Sequence, residues 1–199
     1  MSNRELKCRA REQLGGSLFS NAWMTALLVC VLATVITGAA AGVAAGIGGL
    51  LVAGALSYGC DLLFLKQARD GEPMEIATLF DGFRSRFGEL FVLGFLSSLF
   101  IALWSLLFII PGIVKAYSWS LIYYVKADHP ENDWRQCMDE SAAMMKGHKA
   151  ELFLLDLSFF GWYLLGALCL GIGTLWVVPY HAAARAQYYE ALYNDPYIY

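Results

Sequence analysis

The chain has 199 residues, 58% of them apolar and 15% aromatic, and a formal net charge of −3. That charge is small and the basic residues never interleave with aromatics in a sustained run, which excludes a nucleic-acid-binding surface; the five cysteines stand singly, so free thiols are expected, with no disulfide framework and no metal site. A mean hydropathy of +0.51 leaves either a very apolar soluble domain or a membrane bundle, and the length of the apolar runs decides between them.

The chain opens on a basic segment, Arg4, Lys7, Arg9 and Arg11, in which Leu6, Ala10, Leu14 and Leu18 recur at helical spacing. From Asn21 to Lys66 only Asp61 is ionisable. That run is about twice the ~20 residues one helix needs to cross a bilayer, so it reads as two spans, near Ala22 to Gly42 and Ile47 to Leu65. The first is expected to be a retained helix and not a cleaved leader, because its apolar region is long and merges into further apolar sequence. Gly38, Gly42 and Gly46 follow one another at four-residue spacing. Small residues so placed let helices approach closely, either within this hairpin or across a dimer.

A second polar segment carries Lys66, Arg69, Arg84 and Arg86. After Pro73, which suits a helix start, Ile76, Leu79, Phe80, Phe83 and Phe87 make an apolar stripe for the headgroup plane or for the end of the bundle. Two more spans follow, near Leu90 to Ile110 and Gly112 to Val125. The second is short, roughly 21 Å at 1.5 Å per residue, and would thin the bilayer locally. Pro111 and Gly112 supply the break between them. The third polar segment holds Lys126, Arg135, Lys146 and Lys149, with Trp134, Cys137, Met138, Ser141 and Met145 as a stripe behind the caps Asn132 and Asp133. The last spans run near Leu152 to Leu170 and Leu175 to Leu192, and Pro179 echoes Pro111 as a break.

Unpaired backbone groups are not tolerated in hydrocarbon, and the alternating segments of a membrane barrel are missing, so helices are required. The expected fold is all-α: a polytopic transmembrane bundle of about six spans in three hairpins, with interfacial amphipathic helices, residues 1–199 forming one integral membrane domain. All Lys and Arg except Lys115 and Arg185 fall in the three polar segments, and the intervening connections carry no charge. The positive-inside rule then places both termini in the cytoplasm.

Ionisable groups inside spans are costly, which makes Asp61, Lys115, Asp156 and Arg185 the candidate binding residues, with His181 beside the last. Two readings stay open. Arg185 and Asp156 pair, as Lys115 does with another acid, to fix helix register; or the four line a polar cavity in which Lys115 and Arg185 hold an anionic headgroup or solute. No HExxH, GxSG, P-loop or dinucleotide fingerprint occurs, and the Asp-Gly pairs at Asp70 and Asp81 lack the further aspartates that metal-dependent headgroup transfer needs. No enzyme activity, cofactor or metal is expected.

The run Phe80-Asp81-Gly82-Phe83, Leu103-Trp104, Ile110-Pro111-Gly112-Ile113-Val114-Lys115-Ala116-Tyr117, Asp128-His129-Pro130, Met145-Lys146-Gly147-His148-Lys149 and Leu157-Ser158-Phe159-Phe160-Gly161-Trp162 resembles the bacterial integral-membrane family catalogued as domain-of-unknown-function 975. The resemblance implies a multi-pass protein of the bacterial cytoplasmic membrane, and a distant likeness to the membrane region of some glycerophosphodiester phosphodiesterases. It brings no catalytic residues with it. The functional expectation is a non-enzymatic membrane protein with a polar pocket for a lipid headgroup or small anion, in scaffolding or membrane homeostasis. Its partners would be membrane lipids and a second copy or another membrane protein. A small transporter or transporter subunit is the first alternative, a lipid-modifying enzyme the second.

Overall fold

A computed structural model describes residues 3–16, 20–43, 47–71, 73–107, 109–168, 171 and 173–194. Gly46, Leu18, Leu170 and most of the uncharged connection after Val43, all named above, lie outside the described residues. The described residues are helical or in turns, with no strand among them.

Helix α1 (Asn3–Gln13) is tied along its outer face by the Glu5–Arg9 pair at 3.1 Å, and it ends at Gly15 and Gly16, whose φ of 88° and 71° suit glycine. Its stripe does not lie free: Leu6, Ala10 and Leu14 are fully buried. Helices α2 (Asn21–Val43) and α3 (Ile47–Asp70) form the first hairpin. The stripe after Pro73, read from sequence as one helix, is instead a 3₁₀ turn at Ile76–Phe80 followed by the short α4 (Asp81–Ser85). Close docking on α3 explains the kink, since a Cβ at Gly59 would collide with the Leu79 carbonyl and one at Gly82 would lie 2.7 Å from the Ala55 oxygen.

The second hairpin is α5 (Phe87–Leu107) and α6 (Ile109–Ser118), with α7 (Ile122–Asp128) beyond. Pro111 lies in the first turn of α6, where its missing N–H has no helical partner to lose. Gly112 is required there because a Cβ would strike Ser105 of α5. The single element expected from Gly112 to Val125 is divided. The Ser120 hydroxyl bonds the Tyr117 carbonyl at 2.9 Å in competition with the helix, and the Ser118 carbonyl is taken by Ser141 of α8 at 2.9 Å. Helix α8 (Trp134–Met144) begins with a capping box in which Asp133 accepts from backbone N–H groups and Gln136 reaches back to the Asp133 N–H. Its Cys137, Met138 and Ser141 are buried.

Helices α9 (Lys149–Leu168) and α10 (Thr174–Tyr193) close the bundle. Pro179 does not break α10 as the sequence suggested: the helix continues through it. Only one backbone bond, to the Leu175 carbonyl, is forfeited, and the ring is buried.

α3 is the hub, packing against α2, α5, α7 and α10. Among the described residues three helices are long and apolar enough to cross a membrane: Asn21–Gly42, Phe87–Leu106 and Lys149–Leu168. At 1.5 Å per residue each reaches roughly the 30 Å of a hydrocarbon core. They correspond to the first, third and fifth of the six expected spans. Much of their apolar surface is uncovered, including Leu99 and Leu103 on α5 and Phe160 and Leu164 on α9.

Candidate functional site

α2 and α5 each pack on α3, and between them lies a cleft of about 1040 Å³. Thr37 and Gly38 of α2, Ser57 and Asp61 of α3, Tyr123 of α7 and Arg185 of α10 stand on its wall. Gly38 leaves that wall open, because a Cβ there would meet nothing within 4 Å. The same holds at Gly42. The close helix approaches expected of this glycine series occur further along, at Gly49 against Ala41 and at Gly54 against the Leu90 carbonyl.

Four of the hydroxyls on the wall are bonded back to their own chain, unlike those of Ser57, Ser98 and Tyr123. Thr34 and Thr37 donate to the carbonyls of Cys30 and Ala33, both at 2.8 Å, Ser97 donates to Gly94 at 3.0 Å, and Ser120 donates to Tyr117. Each of these four has spent its only proton on its own chain, so what it offers the cleft is a lone pair.

At one edge of the cleft sits an ionic cluster. The Arg185 guanidinium grips Asp156 with Nη2 2.5 Å from Oδ2 and Nε 3.2 Å from Oδ1. His181 Nε2 lies 2.8 Å from Asp156 Oδ1, and the Tyr117 hydroxyl donates to Oδ2 at 3.1 Å. On the far side of the imidazole, Nδ1 is 3.2 Å from the Tyr163 hydroxyl. His181 thus bridges Tyr163 to Asp156, and the Asp156 carboxylate is shared by Arg185, His181 and Tyr117. His181 and Arg185 reach the same carboxylate because they are one helical turn apart.

Asp61 differs. The Tyr124 side chain hydrogen-bonds it, and Arg185 acts on it from further off, but it forms no ion pair among the described residues. The structure therefore gathers Asp61, Asp156 and Arg185 and sets Lys115 apart. The Lys115 ammonium lies over the rings of Trp119 and Trp104, 5.1 and 5.9 Å from their centroids, and does not line the cleft. The sequence mentioned His181 only as a neighbour of Arg185 and did not single out Tyr117, Tyr124 or Tyr163. The i, i+4 spacing of His181 and Arg185 was the one signal that could have joined them.

A second polar assembly ties helix ends that the sequence used only for topology. Arg69 of α3 makes two bonds to Asp128 of α7, at 2.5 and 2.8 Å, and one to Glu190 of α10 at 2.6 Å. Tyr189 donates to the same Asp128 at 2.7 Å. The bonded Asp128 carboxylate raises the Arg69 pKa further above its ordinary value, outweighing the opposing burial. Nearby, the buried Lys126 ammonium donates to the carbonyls of Pro130 and Asn132 and pairs with Glu89 at 2.7 Å. Among the described residues no group of His, Cys, Asp and Glu could hold a metal ion.

The family model described as "Protein of unknown function (DUF975)" matches residues 1–122 and 106–195. No curated protein and no solved structure matches the chain.

Proposed function

This chain belongs to the DUF975 family, and from that premise we propose that it is a non-enzymatic, multi-pass protein of the bacterial cytoplasmic membrane whose cleft receives the headgroup of a membrane lipid or similar amphiphile. The three hairpins cross six times with both termini inside, and the role is that of a scaffold or of membrane homeostasis. One observation carries the reading: an open cleft of about 1040 Å³ places charged and hydroxyl groups between helices whose outer faces are apolar. Its volume is that of a small-molecule site, and ionisable groups kept at such a depth are costly unless they serve a ligand or each other. Membrane lipids are the partners this reading requires.

Native mass spectra of protein released from mild detergent test it. Lipid or another small amphiphile should remain bound to the natural protein and be lost from Gly38→Leu, whose side chain would project into the open cleft. Equal retention by both proteins would sink the reading.

A second reading, a small transporter or transporter subunit, is favoured by the Arg69 assembly. It clamps α3, α7 and α10 together at the basic ends of the hairpins, a contact that would have to open if solute passed there. Under it, Arg69→Ala would change solute flux in proteoliposomes. Flux absent from both proteins would dismiss it.

A further inference from the structure

The chemistry of the cleft names the kind of headgroup it takes. We propose that it is an ammonium site, in which the Asp61 carboxylate holds the positively charged amine of a membrane amphiphile or of a free organic amine. The inference rests on the reading of the cleft as a binding site, and it replaces the anion expected from Lys115 and Arg185.

Three independent features point the same way. The first is charge. Arg185 is neutralised by its two-bond contact with Asp156, and Lys115 is held over two tryptophans, while Asp61 stands on the wall with a tyrosine as its hydrogen-bonding partner. Asp61, Asp156 and Arg185 together carry two negative charges and one positive, an excess of one negative charge that favours a cation over an anion.

The second is hydrogen-bond polarity. Thr34, Thr37, Ser97 and Ser120 turn acceptor lone pairs to the cleft, because their protons are committed to backbone carbonyls, while the hydroxyls of Ser57, Ser98 and Tyr123 can accept as well as donate. An ammonium group has donors and no acceptor and finds an acceptor at all seven; a sulfate has acceptors only and finds hydroxyl donors at three. The third is aromatic. Tyr117 and Tyr123 border the same space, and aromatic rings attract cations, as the Trp119 ring already does with Lys115.

The test is calorimetric titration of the full chain in dodecyl maltoside with decylammonium, decyl sulfate and decanol, repeated on Asp61→Asn, Asp61→Glu, Thr37→Val and Gly38→Leu. Decylammonium should bind saturably and in preference to the other two. Asp61→Asn should weaken it by at least about tenfold, as loss of a charge-assisted hydrogen bond implies, while Asp61→Glu retains part of the affinity. Should Asp61→Asn fail to fold, Thr37→Val, which removes an acceptor at nearly constant volume, must weaken decylammonium and leave decanol unchanged. Adding ethylammonium separates the sources: binding by this short amine supports a free amine as ligand, and binding by decylammonium alone supports a lipid. Tighter binding of decyl sulfate, or decylammonium affinity indifferent to Asp61, would overturn the ammonium assignment while leaving the cleft a binding site. If no amphiphile of any charge is displaced by Gly38→Leu, the cleft reading falls with it.

Discussion

Asp156 and Arg185 meet across α9 and α10 with Nη2 2.5 Å from Oδ2, and this contact settles the electrostatics of the whole site. It pairs the one cation on the wall of the cleft among the described residues, draws His181 and Tyr117 onto the same carboxylate, and leaves Asp61 on the wall outside the ion pair.

Removing Asp156 should therefore cost more than removing an ordinary surface acid. Asp156→Leu leaves a partly buried guanidinium without its counter-charge, a loss of about 2 to 3 kcal/mol once the partial exposure of Arg185 is allowed for. The double variant Asp156→Leu with Arg185→Leu should recover much of that loss. Thermal unfolding in one detergent measures both, and equal midpoints for the single and double variants would refute the coupling.

The glycines should divide by what faces them. Gly59→Ala forces a methyl into the Leu79 carbonyl and should destabilise by about 2 kcal/mol, as overpacking does. Gly38→Ala meets open space in a helix, where alanine is favoured by up to about 1 kcal/mol, so the protein should be unchanged or slightly more stable. The opposite order of unfolding midpoints would contradict the packing described.

The thiols of Cys8 and Cys137 offer a check on α1 and α8. Cys8 is exposed, whereas Cys137 is fully buried and its thiol is pushed up to about 11 by that burial. At pH 8 a maleimide should label Cys8 within minutes and reach Cys137 only after denaturation. Rapid labelling of Cys137 in the folded protein would mean that α8 leaves the bundle, as an interfacial helix would.

Topology is tested by reporters fused at Gly71 and at Glu131. Both positions follow an even number of proposed crossings and should report from the same, cytoplasmic, side. Opposite sides would break the six-crossing arrangement.

The order of apolar and basic segments was enough to place α2, α5 and α9, because a run long enough to span hydrocarbon has one helical solution whatever packs beside it. The stripes of α1, the 3₁₀ segment and α8 were equally legible as periodicity. A stripe says which face is apolar, not what covers it, and burial of Leu6, Leu79 and Cys137 against the bundle was decided by tertiary packing. The pairing of Asp156 with Arg185 was readable, since two helices joined by a short turn must be neighbours. The isolation of Lys115 over two tryptophans and the place of Asp61 on the cleft were not, because the first depends on how α6 packs on α5 and the second on how α2 and α5 pack on α3. Sequence determined which costly groups lie in apolar surroundings; only the three-dimensional arrangement decided which of them pair with each other and which one stands on the cleft outside an ion pair.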